Sequence, residues 1–134
     1  MCIRDRINSI AHDYPALVLE GDKHAQLLLV GWGSTYGTLK SAVAACHAQG
    51  ISVALLHLTH LNPLPLDLAR HLFAFKQVAV VELNSGHLCE VLRSKYLLDL
   101  KSIQQCNGQQ FSVKDLVNNI IEMTKEIQHE TVLA

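Results

Sequence analysis

The stretch at residues 27–37, LLLVGWGSTYG, constrains the fold of this chain more than any other. Four apolar residues lead directly into Gly31 and Gly33, and a helical pattern follows Thr35. A buried strand that ends in glycines and leads into a helix is typical of an α/β sheet. Such a turn either lines a ligand crevice or only turns the chain, and the surrounding sequence has to decide between these two roles.

The rest of the chain repeats this order of strand and helix. Aliphatic runs predict strands at 26–32, 51–58, 77–83 and, more weakly, 102–106, with helices at 34–49, 65–75, 87–98 and 112–128. Near-continuous aliphatic strands separated by helices predict a three-layer αβα fold with a mainly parallel sheet. Right-handed crossovers would bring the loops at 31–36, 59–65 and 82–87 to one edge of that sheet.

The helix ends and domain limits also have sequence signals. Ser34 or Thr35 is expected to cap the first helix, Gly50 to end it, and Ser112 to cap the last one. Residues 1–6, MCIRDR, match no later pattern and are interpreted as an artefactual leader. We expect 7–25 to be a connector from a missing N-terminal domain, 26–128 to be the domain itself, and 129–134 to be a frayed tail.

Composition excludes several functional classes. The chain has 134 residues, 49% of them hydrophobic, with 11 basic and 12 acidic residues. This near-zero balance, without a polybasic run, argues against nucleic acid and membrane partners. The absence of a signal peptide or membrane span indicates a cytoplasmic protein. The four cysteines are scattered without a C-x-x-C pair, so they are interpreted as small buried hydrophobes rather than metal ligands.

The glycines at 31, 33 and 37 resemble a dinucleotide fingerprint with one residue too many. That fingerprint requires an acidic residue at the end of the second strand, where it binds the ribose. Here the second strand ends in His57-Leu58-Thr59-His60, which argues against a nicotinamide or flavin site. Two interpretations stay open for the turn: backbone N–H groups after Gly33 that hold a phosphate or carboxylate, or a turn that packs against another subunit.

The loop at 82–87, ELNSGH, is the second candidate. Glu82 ends a buried strand, and a buried carboxylate needs a partner. Arg93 could supply an internal ion pair; alternatively the loop contacts a ligand or subunit. His57 and His60 lack a third ligand for a metal, and the adjacent Cys46-His47 pair gives no support for a nucleophile.

Several longer blocks match a known family in order and spacing. They are VGWGSTYGTLKSAV at 30–43, LHLTHLNPLP at 56–65, VVELNSGHLCEVLRSKYL at 80–97 and QCNGQQF at 105–111. Together they resemble the C-terminal domain of the α subunit of 2-oxoacid:ferredoxin oxidoreductases, particularly the 2-oxoglutarate type, which has a transketolase C-terminal-like fold. One departure is His87, which stands where the family usually carries glutamine.

The resemblance implies membership of a complex that oxidatively decarboxylates a 2-oxoacid to an acyl-CoA and reduces ferredoxin. Such complexes use thiamine diphosphate, Mg²⁺ and iron–sulfur clusters, with CoA as substrate, and imply a β subunit and ferredoxin as partners. The family places its thiamine chemistry in the preceding α domain and in the β subunit. This domain is therefore expected to be structural, with no catalytic residue, metal ligand or cofactor of its own.

Eight residues on the two loops are expected to make the anion or subunit contacts: Gly33, Ser34, Thr35, Tyr36, Glu82, Asn84, Gly86 and His87. The alternative function is a stand-alone anion- or nucleotide-binding α/β module that uses the turn from Gly33 to Tyr36.

Overall fold

The computed structural model describes residues 3–105 and 108–133, with side chains up to residue 129. The helices are α1 (Ile3–Ser9), α2 (Tyr36–Ala48), α3 (Leu68–Phe73), α4 (His87–Tyr96) and α5 (Val113–Leu133). The strands are β1 (Leu19–Gly21), β2 (Leu27–Trp32), β3 (Ala54–Leu58), β4 (Gln77–Glu82) and β5 (Lys101–Gln104). Two 3₁₀ turns, Ile10–Asp13 and Gly33–Thr35, precede β1 and α2.

The strands form one five-stranded sheet in the order β1-β3-β2-β4-β5. β2, β3, β4 and β5 are parallel, and β1 runs antiparallel to β3 at the edge. The central strands are aliphatic along their whole length because helices cover both faces of the sheet. The predicted αβα fold with a mainly parallel sheet is thus confirmed.

Alternate residues of each central strand point into two separate cores. Leu27 and Leu29 of β2 pack with α2 and α5 on one face, where Leu39 and Ile120 are fully buried. On the other face, residues of β2 such as Leu28 pack with α3 and α4. The period-2 alternation of a strand therefore anchors one helix pair on each side of the sheet.

The observed element bounds differ from the predicted ones in ways that backbone hydrogen bonds explain. The second strand was expected to start at residue 51, but it starts at Ala54. The N–H of Ile51 donates to the carbonyl of Cys46, and the carbonyl of Val53 accepts from the N–H of Asp22. Both groups therefore form hydrogen bonds other than those between the strands of the sheet. β5 covers Lys101–Gln104, so it begins one residue before the predicted strand at 102–106 and ends before Gln105; Cys106 and Asn107 lie outside the described residues.

The ends of the chain carry more regular structure than expected. β1 lies within the predicted connector, so part of residues 7–25 belongs to the sheet. Residues 3–9, which overlap the predicted leader, form α1, and this helix has no buried residue. The last helix was expected to fray after Gln128, but α5 continues to Leu133. Within residues 3–105 and 108–133, no helix is both long and apolar enough to cross a membrane.

Candidate functional site

The topology places a potential crevice between the carboxyl ends of β2 and β4. From β2 the chain crosses to β3 on one side and then returns to β4 on the other side. In open α/β sheets, ligands bind where the strand order reverses in this way. The predicted loops after β2 and after β4 both start at this point, as the sequence led us to expect.

Two side chains close this crevice from within. Trp32 at the end of β2 donates its indole N–H to Oε1 of Glu82 at the end of β4, with an N···O distance of 3.1 Å. The backbone N–H groups of Leu88 and Cys89 donate to Oε1 and Oε2 of Glu82 at 2.7 and 3.1 Å. Only 1% of Glu82 is exposed. Its negative charge is stabilised by the N-terminus of α4, where N–H groups lack partners within the helix and the helix dipole is positive.

The predicted ion pair between Glu82 and Arg93 is not the arrangement that the described residues adopt. Arg93 donates from Nε to the carbonyl oxygen of Leu100 at 2.9 Å, and its Nη2 donates to the same oxygen. This bond ties the C-terminal half of α4 to the residue that precedes β5. The ion-pair prediction was wrong because backbone N–H groups of α4 bind the Glu82 carboxylate instead of Arg93. Bonds to backbone groups cannot be predicted from side-chain types.

The loop between β4 and α4 is held by its own atoms. Oδ1 of Asn84 accepts from the backbone N–H groups of Gly86 and His87 at 2.8 and 3.1 Å. Gly86 has a φ of 90°, in the left-handed region that favours glycine. The ring of His87 is exposed and its Nε2 lies 3.1 Å from Oγ of Ser85. Ser85 and His87 therefore form the solvent-facing part of this loop.

The turn between β2 and α2 is also internally bonded. Oγ1 of Thr35, which is buried, donates back to the carbonyl of Trp32 at 2.9 Å. Oγ of the exposed Ser34 accepts from Nε2 of Gln110 at 3.1 Å. Thr35 occupies the N-cap position of α2 but makes no side-chain capping bond, so the predicted hydroxyl cap of this helix was wrong. In contrast, Oγ of Ser112 accepts from the N–H of Asp115 at 3.0 Å, which confirms the predicted cap of α5.

A cavity of about 410 Å³ lies beside the loop at 59–65, which follows β3, and the sequence did not predict it. We call it the Tyr36 cavity; Tyr14, Glu20, Tyr36, His57 and His60 supply its aromatic and charged lining. The rings of Tyr14 and His60 stack with centroids 4.1 Å apart, and those of Tyr36 and His57 are 4.8 Å apart. The hydroxyl of Tyr36 donates to Oε1 of Glu20 at 2.7 Å, a bond that raises the pKa of Tyr36.

His57 is the unusual member of this group. Its Nδ1 is buried and has no hydrogen-bond partner in the described part of the chain. Burial lowers the pKa of His57, and the nearby charge of Glu20 opposes this effect. Burial thus disfavours protonation of this ring. No sequence pattern indicates this grouping, because Tyr14 and Glu20 lie in the predicted connector, far from His57 along the chain.

In the described part of the chain, the donor groups form no set that fits the metal cofactors that the resemblance implies. Among the described residues, no three His, Cys, Asp or Glu side chains lie close enough together to hold a metal ion. Cys46 and Cys89 are buried in the cores on opposite faces of the sheet, and burial raises the pKa of both thiols. They agree with the prediction of buried hydrophobic cysteines; Cys2 and Cys106 lie outside the described residues.

Comparison with protein families decides the relationship. Residues 25–116 match the family described as pyruvate:ferredoxin oxidoreductase core domain II, which is more than half of the 134-residue chain. The chain belongs to this family. The resemblance expected from the sequence blocks is thereby confirmed.

Individual core domain II relatives agree with the assignment. The 2-oxoglutarate oxidoreductase subunit KorA of Mycobacterium tuberculosis is 41% identical over 92 residues, which are 69% of this chain and 14% of that protein. A structure of 2-oxoglutarate:ferredoxin oxidoreductase from Magnetococcus marinus, with 2-oxoglutarate, coenzyme A and succinyl-CoA bound, superimposes with a TM-score of 0.79 at 28% identity. It covers 86% of this chain and 21% of that one.

The core domain II fold extends to more distant proteins. A split-gene transketolase aligns with a TM-score of 0.56 at 18% identity, over 80% of this chain and 40% of that one. At this identity the likeness concerns the fold alone, and it confirms the transketolase-like architecture. The chain spans only 14% and 21% of the length of its mycobacterial and Magnetococcus relatives.

Proposed function

We propose that this chain forms one domain of the α subunit of a cytoplasmic 2-oxoacid:ferredoxin oxidoreductase of the 2-oxoglutarate type. The complete enzyme would convert a 2-oxoacid and CoA into an acyl-CoA and CO₂ and pass two electrons to ferredoxin. The names of the mycobacterial and Magnetococcus relatives support the 2-oxoglutarate type. Within the enzyme, we assign this domain a structural and subunit-contacting role and place the reaction elsewhere.

The bond between Trp32 and Glu82 is the observation that carries the structural role. It occupies the position between β2 and β4 where a sheet of this topology would hold a ligand. The buried carboxylate that could bind Mg²⁺ or a substrate group is already engaged by three N–H donors. No reaction step is assigned to thiamine diphosphate, Mg²⁺ or an iron–sulfur cluster in this chain.

The exposed members of the two loops are the proposed subunit contacts. Ser34, Ser85 and His87 lie at the carboxyl edge of the sheet with exposed side chains. Their loops are fixed by internal bonds to Gln110, Asn84 and Trp32. A rigid, polar loop pair loses little entropy when it is covered, so this surface suits a permanent contact with the β subunit.

The activity is tested on the α subunit that contains this domain, co-expressed with its β subunit. We expect 2-oxoglutarate-dependent reduction of ferredoxin by the complex and none by the 134-residue chain by itself. If the complex turned over no 2-oxoacid at all, the proposed enzyme would be wrong.

The contact role is tested in the same complex with a double variant, Ser34→Ala with His87→Ala. We expect a lower yield of assembled complex in size-exclusion chromatography, with an unchanged kcat per assembled complex. The matched control is Ser94→Ala with His129→Ala, since both residues are exposed and lie on other parts of α4 and α5. A fall in kcat without a change in assembly would refute the structural assignment.

A further inference from the structure

The Tyr36 cavity is a second candidate site, separate from the closed crevice between β2 and β4. It lies where the segment before β1 passes the end of β3 and the start of α2. Its volume of about 410 Å³ falls in the range of small-ligand sites. The hydroxyl of Tyr14 donates to the carbonyl of Pro63 at 3.0 Å, which fixes this wall of the cavity. None of these contacts involves the bond between Trp32 and Glu82.

The lining combines aromatic rings with one carboxylate. Four rings, from Tyr14, Tyr36, His57 and His60, contribute to the walls, and Glu20 supplies the only acidic group among the described lining residues. No Lys or Arg belongs to the described lining. The faces of the two Tyr rings carry negative electrostatic potential, so these rings and the Glu20 carboxylate both attract a cation.

The position of Lys40 shows that this attraction already operates within the chain. Its Nζ lies 4.0 Å from Oε1 of Glu20 and 5.8 Å from the centroid of the Tyr36 ring. The Lys40 side chain is 66% exposed and is not part of the described lining of the cavity. The interior of the cavity remains available to a second positively charged group.

We propose that the Tyr36 cavity binds an organic cation of the guanidinium class, such as an arginine side chain. A guanidinium group is planar, stacks on aromatic faces and donates hydrogen bonds to a carboxylate. Those properties match the Tyr14 and Tyr36 rings and the Glu20 carboxylate of the lining. The inference does not depend on the proposed enzyme, because it concerns only groups within this chain.

The direct test is an NMR titration of the full chain with N-acetyl-arginine amide. N-acetyl-citrulline amide serves as the control, since citrulline has nearly the same shape without the charge. We expect saturable shifts of the His57 and Tyr36 ring protons with the arginine ligand, with a Kd on the order of millimolar. The citrulline ligand should give no saturable shift. A flat arginine titration, or an equal response to citrulline, would overturn the proposal.

Charge variants test the role of the carboxylate. Glu20→Gln keeps the shape of the side chain and should weaken arginine binding by about tenfold or more. Glu126→Gln on the exposed face of α5 makes the same charge change away from the cavity and should have no effect. Lys40→Gln should tighten binding by ~2- to 5-fold because it removes the competing cation. Unchanged binding by a folded Glu20→Gln variant would refute the site.

A last comparison identifies the natural source of the cation. Free arginine carries an α-carboxylate, whereas the arginine of an Ala-Arg-Ala peptide with blocked ends does not. Tighter binding of the peptide would assign the cavity to an arginine of a partner polypeptide. Tighter binding of free arginine would assign it to a small molecule.

Discussion

At the scale of single residues, Glu82 is the group on which the closed crevice depends. Replacing it by Gln removes the charge and places an NH₂ group against N–H donors. We expect Glu82→Gln to lower the free energy of unfolding by about 2–4 kcal/mol. Urea denaturation followed by circular dichroism measures this change. The control is Glu90→Gln on the exposed side of the same helix, for which the loss should stay below ~0.5 kcal/mol. Equal losses would contradict the proposed network.

The bond between Trp32 and Glu82 can be isolated with a double-mutant cycle. Trp32→Phe keeps an aromatic ring in place but removes the indole N–H that reaches Glu82. The single variants and the pair should be non-additive by about 1 kcal/mol, since each single change already breaks the shared bond. Urea denaturation of the four proteins gives this coupling energy. Simple additivity would mean that the indole stabilises the fold through packing alone.

His57 and His71 give the chain a defined pH response. Each has a buried ring nitrogen without a partner among the described residues, and burial lowers the pKa of each below the ordinary 6.5. The unfolded chain therefore binds these protons at higher pH than the folded chain. Stability should be fully present above pH 6.5 and should fall as the pH drops towards the folded-state pKa values.

Two measurements check the histidine prediction. NMR titration should place the midpoints of both rings below 6.5. Replacing His57 by Gln should reduce the loss of stability as the pH falls below 6.5, with the contribution of His71 remaining, whereas His12→Gln on the exposed 3₁₀ turn should not. Midpoints at or above 6.5 would show that neither ring resists protonation.

At the scale of elements, Gly31 controls how closely α2 packs on β2. A Cβ at this position would collide with Cδ1 of the fully buried Leu39 and come within 3.2 Å of Oγ1 of Thr35. Gly31→Ala should destabilise the chain by about 2–3 kcal/mol through overpacking. Gly37→Ala is the control, because a Cβ there meets nothing within 4 Å and α2 gains a better helix former. That variant should stabilise by ~0.5 kcal/mol. Urea unfolding of both variants tests the sign of each change.

Buried strands and helix caps differ in how well a sequence predicts them. The aliphatic runs at 26–32 and 77–83 predicted the two central strands, β2 and β4, because buried strands leave a continuous apolar pattern. The predicted hydroxyl cap of α2 was wrong because the Thr35 side chain points back towards the carbonyl of Trp32, and in that orientation its Oγ1 accepts no N–H of α2. The orientation of one side chain thus determines whether a helix end is capped, and the residue types alone do not predict that orientation.

The crevice between β2 and β4 and the Tyr36 cavity also differ in how well the sequence predicts them. The meeting of the loops after β2 and β4 followed from parallel topology, and it brought Trp32 and Glu82 into contact. The partner of Glu82 could not be predicted, because backbone N–H groups of α4 supply two of its three bonds. The Tyr36 cavity depends on Glu20 in an edge strand only three residues long, which leaves too little periodicity to detect.

At the scale of the whole molecule, contacts with the cores begin before residue 26, since Ala11 is buried and Leu17 and Leu19 pack against the core that contains Leu28. β1 covers the edge of β3 by antiparallel pairing, whereas α1 has no buried residue. Removing residues 1–9 should change the free energy of unfolding by less than ~0.5 kcal/mol, since residues 3–9, the described part of this segment, are all exposed. Removing residues 1–21 should cost roughly 3 kcal/mol or more and promote aggregation, because β3 becomes an uncovered aliphatic edge.

Urea unfolding and light scattering of the two shortened chains measure both effects. The shorter deletion is the control for changes in length and terminal charge, so the difference between the two reports on residues 10–21 and their pairing with β3. Substitution of Glu20 alone cannot mimic this loss, because the pairing of β1 uses the backbone of Leu19 to Gly21. If both deletions left stability and solubility unchanged, β1 would be only a passing contact, and the domain would begin near β2 as the sequence predicts.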